Sequence, residues 1–118
     1  MTSIACIGYL NLEDTEYPGQ DPVSRAPGGA ALYFSAAARL WGAEVLLVSR
    51  IGEDYPQDIL TQLAQAGINT EAVTTLPGET MAGRTAYDEE GRRTYEMYTP
   101  PERRLALSPV PNDWPHSA

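Results

Sequence analysis

The sequence predicts an α/β fold: a parallel strand–helix–strand unit that carries an antiparallel β appendage. Three observations predict it. Residues 3–9 and 44–49 are short, largely apolar runs, the pattern of strands buried on both faces of a parallel sheet. Between them Gly28-Gly29 opens a long Ala-rich run without proline, which reads as a helix over about 29–41. After Asn69 the pattern changes to weak alternation punctuated by turn residues.

The first strand, 3–9, ends near Gly8, and Asn11-Leu12-Glu13-Asp14 follows as a polar loop, placing an amide and two carboxylates just past its C-terminal end. In open α/β sheets ligands bind at that edge. Residues 15–26 are polar and broken by Pro18-Gly19 and Pro22, so they are irregular or an edge strand. The next stretch organises the chain. Gly28 and Gly29 let backbone approach a ligand or another strand, because no Cβ intervenes. In the helix behind them only Ser35 and Arg39 are polar, and they lie four residues apart. That pattern predicts one narrow polar stripe on a mostly buried cylinder, with Gly42 as the left-handed stop. The free N–H groups at the start of such a helix suit polar ligand atoms; the plainer alternative is a glycine turn feeding a core helix.

The second strand, 44–49, completes a right-handed βαβ crossover. Asp54 is placed to cap a second helix over about 55–66, with Pro56 and Asp58 near its first turn. Ile59, Leu60, Leu63, Ala64 and Ala66 give it helical spacing, and Gly67 ends it. Residues 70–76 lead to the turn Pro77-Gly78. Residues 81–88 and 92–98 flank Asp88-Glu89-Glu90-Gly91 and read as a hairpin with Gly91 in the left-handed turn position. Tyr87, Tyr95 and Tyr98 are expected to form cross-strand pairs there. From Thr99 on, five prolines exclude long regular elements, and 112–116 reads as an exposed turn with a solvated His116.

Composition narrows the function classes. The 118 residues amount to one small domain. Sixteen acidic residues against eight basic ones give a net charge of −8, which argues against nucleic acid or an anionic membrane as partner. All the basic residues are arginine, so neither a Schiff-base lysine nor a P-loop lysine is available. Cys6 is the only cysteine and lies in an apolar run, as a small core residue would. There is no signal-peptide pattern at the start and no apolar run of the ~18 residues a membrane helix needs, so the expected location is cytoplasmic. No Cys/His metal set, GxGxxG or P-loop occurs.

Taken together, several pieces resemble the N-terminal part of the PfkB-type, ribokinase-like carbohydrate and nucleoside kinases. They are Ile7-Gly8 with Asn11, then Pro27-Gly28-Gly29 before the Ala-rich helix ending Leu40-Trp41-Gly42-Ala43. Val48-Ser49-Arg50-Ile51-Gly52-Glu53-Asp54 follows, then Leu63-Ala64-Gln65-Ala66-Gly67-Ile68, and Thr80 with Asp88-Glu89-Glu90-Gly91-Arg92-Arg93. The resemblance implies a ribokinase-like α/β sandwich, present in part, with an antiparallel β lid. Residues 3–9 and 29–66 would form the core, 10–27 and 70–98 the lid strands, and 99–118 a Pro-rich end. It also implies ATP-dependent phosphorylation of a hydroxyl on a sugar, nucleoside or similar polyol. Asn11 and Glu13 would hold substrate hydroxyls, the latter where the family usually has Asp, and Gly28 and Gly29 would present backbone N–H groups. The family's ribose kinases carry Lys and Asn where this chain has Ala30 and Tyr33, which points to a different or more apolar substrate beside Tyr33.

The family's Gly-Ala-Gly-Asp catalytic segment, its Asn-x-x-Glu segment and its nucleotide site have no match in these 118 residues. The expectation is therefore a kinase fragment without catalytic, metal or cofactor-binding residues. ATP and Mg belong to the full-length family, and neither is expected to bind this chain alone. Inactivity and loose packing in isolation are expected, with a homodimer through the lid or an open sheet edge as one assembly. The alternatives are a non-catalytic small-molecule-binding or dimerisation module derived from such a kinase, and an unrelated α/β domain whose glycines are structural.

Overall fold

A computed structural model describes residues 2–104 together with Val110, Pro111 and Trp114. In chain order the elements are β1 (Ser3–Ile7), β2 (Asn11–Glu16), β3 (Val23–Gly28), α1 (Ala30–Leu40), β4 (Glu44–Ile51) and α2 (Gln57–Gln65). β5 (Ile68–Asn69), β6 (Val73–Thr75), β7 (Ala82–Tyr87) and β8 (Arg93–Met97) follow, then a 3-10 turn, Pro101–Arg103. They build two sheets. In the first, β1 and β4 are parallel, with Ser3 opposite Glu44 and Ile7 opposite Val48. The short β5 and β6 add to β4, also parallel. The second sheet runs β3-β2-β7-β8. Among the described residues no helix is long and apolar enough to cross a membrane.

β4 alternates between two cores, as a strand buried on both faces must. Val45, Leu47 and Ile51 face the helices, joining Cys6, Ala31, Ala38, Leu63, Tyr55 and the lid residues Leu10 and Leu12. Leu46 and Val48 face the other way, against Trp114, Ala72 and Val110. Trp114 is thus buried, where an exposed turn was expected; burying its indole against a bare sheet face removes a large apolar area from water. The rest of that turn, His116 included, lies outside the described residues. Cys6 is buried and free, as expected.

The first helix is turned over relative to its expected orientation. Ser35 is fully buried with Ala31 and Ala38, whereas Tyr33, Phe34, Leu40 and Trp41 are exposed. Residues 31, 35 and 38 form a stripe of small side chains at helical spacing, and that stripe lets α1 lie close on the branched side chains of β4. The aromatic side chains are too large for that gap. Arg39 reaches the other helix, donating from Nε to the Ala66 carbonyl at 3.1 Å.

Five other expectations are corrected. Asn11-Leu12-Glu13-Asp14 is not a loop but the start of β2, because its backbone finds a partner on each side. The second sheet is mixed: β2 pairs antiparallel with β3 but parallel with β7. Residues 73–75, expected in the lid, join the main sheet beside Ser49–Ile51, so that sheet has four strands rather than two. Asp54 does not cap α2; Pro56 occupies the N-cap position without a capping side chain. Tyr87 stacks on Tyr17, with centroids 5.3 Å apart, rather than on Tyr95 or Tyr98, since the register sets Arg93 opposite it.

The two sheets are tied where the loop after β4 crosses residues 78–80. Gly52 N–H donates to Thr80 Oγ1 at 2.9 Å, and Thr80 N–H donates to Asp54 Oδ1 at 2.7 Å. Asp54 Oδ2 also meets Arg25 Nη2 of β3 at 2.9 Å. Burial pushes the Asp54 carboxyl up, but the Thr80 N–H, the Thr80 hydroxyl and Arg25 outweigh it and hold it below the usual carboxylate value.

Two outcomes follow from this crossing. A Cβ at Gly52 would lie 2.3 Å from the Thr80 nitrogen, so Gly52→Ala should lower the unfolding free energy by about 1–3 kcal/mol in urea titration, the range of an overpacked site. Because the folded pKa of Asp54 is depressed, its stabilisation is present above the ordinary aspartate value and is lost as pH falls through the lower folded value. Asp54→Asn should therefore flatten the acid limb of stability against pH, as read by thermal melts between neutral and strongly acidic pH.

Candidate functional site

The site grows from the place where the end of β1 meets the start of α1. The chain leaves β1, passes Tyr9 and Leu10, and enters β2 at Asn11, which pairs with Gly28 at the end of β3. One residue later Gly29 turns at φ 100° and opens the helix. A Cβ at Gly29 would lie 2.3 Å from the Tyr9 carbonyl oxygen and 3.2 Å from the Asn11 nitrogen. Sterics and a left-handed φ therefore both demand glycine. Gly29 also supplies no capping side chain, and the first turn of α1 holds no acidic residue. Its N–H groups have no side-chain acceptor to compete with a ligand.

Gly28 leaves room for a side chain instead of a backbone. Glu13 leans across it, so that a Cβ there would come within 3.0 Å of Glu13 Cδ and 3.2 Å of Oε2. Asn11 is 9% exposed, and its Oδ1 has no hydrogen-bond partner. A buried amide oxygen left unpaired costs on the order of 1–3 kcal/mol, so an unpaired one marks a place where a donor is missing. The structure thus brings Asn11, Glu13, Gly28 and Gly29 together where β2 begins and β3 ends, Asn11 directly opposite Gly28 and the Glu13 side chain leaning over Gly28. Tyr33, one turn into α1, takes no part in that cluster; its side chain is two-thirds exposed.

Asp14 points to the opposite face and belongs to a different arrangement. Its Oδ1 accepts from the Arg25 N–H at 2.8 Å and the Ser24 hydroxyl at 3.3 Å, and its Oδ2 from Tyr98 Oη at 3.2 Å. The Arg25 N–H is the main reason its pKa lies below the usual carboxylate value. Arg25 takes φ 52°, the only positive φ outside glycine among the described residues. A cavity of about 570 Å³ lies beside it, lined by Arg25, Glu79, Tyr98, Thr99 and Arg103 among others. Composition and spacing alone do not separate Glu13 from Asp14, which only the resemblance distinguishes; the period-two alternation of a strand does so physically once β2 is known to be one.

The register carries the Glu13 face across the sheet. Glu13 lies opposite Gly83 of β7, and Gly83 opposite Met97 of β8. These residues were read only as parts of a separate hairpin, because the parallel β2–β7 pairing has no local sequence signal. Among the described residues no three His, Cys, Asp or Glu side chains are grouped to hold a metal ion.

Comparison with known proteins bears on the family and the fold. The sequence profile of the pfkB family carbohydrate kinases matches residues 1–117. The cytidine kinase of Thermococcus kodakarensis is 29% identical over 114 residues, covering 97% of this chain and 40% of that protein. Among solved structures, a fructokinase from Xylella fastidiosa superposes with a TM-score of 0.62 at 28% identity, over 84% of this chain and 33% of that one. The Methanocaldococcus jannaschii nucleoside kinase, described as an archaeal member of the ribokinase family, gives a TM-score of 0.66 at 19% identity, over 82% and 36%. The chain therefore spans well under half the length of these proteins, and the last comparison speaks for the fold alone.

The two glycines should respond differently to a methyl group. Gly29→Ala meets backbone and should prevent cooperative folding, whereas Gly28→Ala meets only the Glu13 side chain. Gly28→Ala should keep a cooperative melt with a loss of roughly 1 kcal/mol, within the range of ordinary substitutions. Circular dichroism melts of the two variants check this; equal loss of structure in both would contradict it.

Proposed function

The chain belongs to the pfkB family of carbohydrate kinases, and from that premise we propose that it forms the hydroxyl-binding side of an ATP-dependent phosphotransfer to a sugar, nucleoside or similar polyol. The observation that carries this reading is the unpaired, buried Oδ1 of Asn11 opposite Gly28, with the Glu13 carboxylate leaning over that glycine. A carboxylate only accepts hydrogen bonds, while an amide both donates and accepts. Neighbouring hydroxyls, each donor and acceptor, match that pair. Gly28 leaves room for the Glu13 side chain and Gly29 for the Tyr9 carbonyl, so the two glycines set the placement of this pair, while Tyr33 stands exposed one turn into α1. The names of the relatives, for cytidine, nucleosides and fructose, all denote polyols of this kind.

The nucleotide side is not assigned to this chain. Asp14 and Asp54 are engaged by backbone N–H groups and by Arg25 or Tyr98. The described carboxylates do not group as magnesium ligands, and no described residue is given the part of catalytic base. The reading is of a substrate-binding half without turnover of its own.

The test is calorimetric titration of the purified chain with D-ribose, D-fructose and cytidine, with ADP release measured alongside. Asn11→Ala should weaken polyol binding by about tenfold, the effect of losing one hydrogen bond to a buried partner, and Glu13→Gln should weaken it in the same direction. No polyol-dependent ADP release is expected. Unchanged binding by Asn11→Ala would overturn the site, and ADP release in proportion to the chain would overturn the claim of inactivity.

A further inference from the structure

The second sheet carries three described tyrosines on β7, β8 and the segment after β8, and they differ in what they touch. Tyr87 is stacked face to face on Tyr17, at an interplanar angle of 2°. Tyr98 spends its hydroxyl on Asp14, on the opposite face from Glu13. Tyr95 is different. It lies opposite Thr85, but its side chain leans along the strand until a Cβ at Gly83 would be 2.6 Å from its Oη and 3.0 Å from its Cζ. The tip of Tyr95 thus occupies the space that a side chain at position 83 would take. Gly83 is itself the direct neighbour of Glu13, and directly paired residues project to the same face.

Tyr95 therefore shares the face of Glu13 and Asn11; its backbone lies two strands, or about 9.6 Å, from theirs, and its tip reaches over Gly83 of the strand between. Its ring is not consumed by the core: Tyr95 is 43% exposed. The Arg93 guanidinium, two residues earlier on the same face, has its Cζ 5.4 Å from the ring centroid. Burial, and after it the charge of Glu13, raises the Tyr95 pKa, which agrees with their proximity and keeps the phenol protonated.

We propose that Tyr95, with the Arg93 guanidinium over one face of its ring, is a specificity-determining platform for a planar heteroaromatic ring, so that the polyol taken at Asn11 and Glu13 is a nucleoside. The inference rests on the hydroxyl-binding reading of those two residues. Hydroxyls held at Asn11 and Glu13 place the rest of the ligand over β7 and β8. A free pentose ends close to the carboxylate, whereas a nucleoside extends its base onto the ring. Aromatic faces and guanidinium planes are the two protein surfaces on which bases stack, and a cation beside an aromatic ring remains weakly enough hydrated to yield to a stacking partner when it is arginine.

The experiment titrates the purified chain with cytidine and with D-ribose, using wild type, Tyr95→Ala, Tyr95→Phe and Asn11→Ala, each checked for an unchanged thermal melt. Cytidine should bind wild type more tightly than D-ribose. Tyr95→Ala should weaken cytidine by about tenfold, as loss of one stacking platform does, and leave D-ribose unchanged, while Tyr95→Phe retains cytidine binding. Asn11→Ala should weaken both ligands. If Tyr95→Ala binds cytidine as wild type does while Asn11→Ala is impaired, the platform is overturned and the hydroxyl site stands. If Asn11→Ala binds both ligands normally, the hydroxyl site itself fails, and with it the nucleoside assignment. Equal losses of cytidine and D-ribose in Tyr95→Ala, or no cytidine binding by wild type, also overturn the proposal.

Discussion

The structure depends on backbone passing backbone at places where no side chain fits. At Gly29 the Tyr9 carbonyl stands where a Cβ would be, and at Gly52 the peptide between Glu79 and Thr80 does the same. These are the two crossings between the sheets, one at the beginning of α1 and one after β4. Because each is a contact of main chain with main chain, neither has a flexible side chain to absorb displacement. The second sheet is thus fixed over the C-terminal end of β1, the edge at which α/β sheets bind ligands. Leu10 of the connecting segment and Leu12 of β2 then drop into the main core and anchor the crossing by burial.

With the sheet so fixed, its two faces separate two kinds of carboxylate. Asp14 has its lone pairs filled by an N–H and two hydroxyls, so it serves to shape the β2–β3 bulge and hold Arg25 in a left-handed conformation. Local hydrogen bonding offsets a strain of about 1–3 kcal/mol at such a residue. Glu13 has no such partners and lies over bare glycine. The same contrast distinguishes the arginines. Arg84 meets Glu16 in a two-point pair, and Arg92 meets Asp88 and Glu90. Exposed pairs of this kind contribute little to stability. Their effect is to keep a strongly acidic chain from repelling itself along the strands.

The outward aromatic surface of α1 is the other consequence of close packing. The stripe of Ala31, Ser35 and Ala38 meets β4, so Phe34 and Trp41 border shallow cavities of about 440 and 210 Å³ together with residues of β1. The small side chains set the helix–sheet distance, and the large ones are left outside by the same geometry.

What the sequence by itself determined is local. It placed both strands and the helix of the crossover, the hairpin, and the buried Cys6, because periodicities of 2 and 3.6 report burial over a few residues. It also placed the turns at Gly42, Gly67 and Gly91, which do take positive φ of 87°, 92° and 79°, since a left-handed turn residue disfavours a Cβ. It brought Asn11, Glu13, Gly28 and Gly29 to notice through motif order. Only the tertiary structure decided which side of α1 faces inward, that β2 pairs parallel with β7, that residues 73–75 extend the main sheet, and that Trp114 closes its far face. Pairing between strands distant in sequence and the choice of a helix face depend on the shape of the partner surface, which no local pattern encodes. That is why Glu13 was legible as a polar residue near a strand end, while Tyr95 became its neighbour only when β7 came to lie between them.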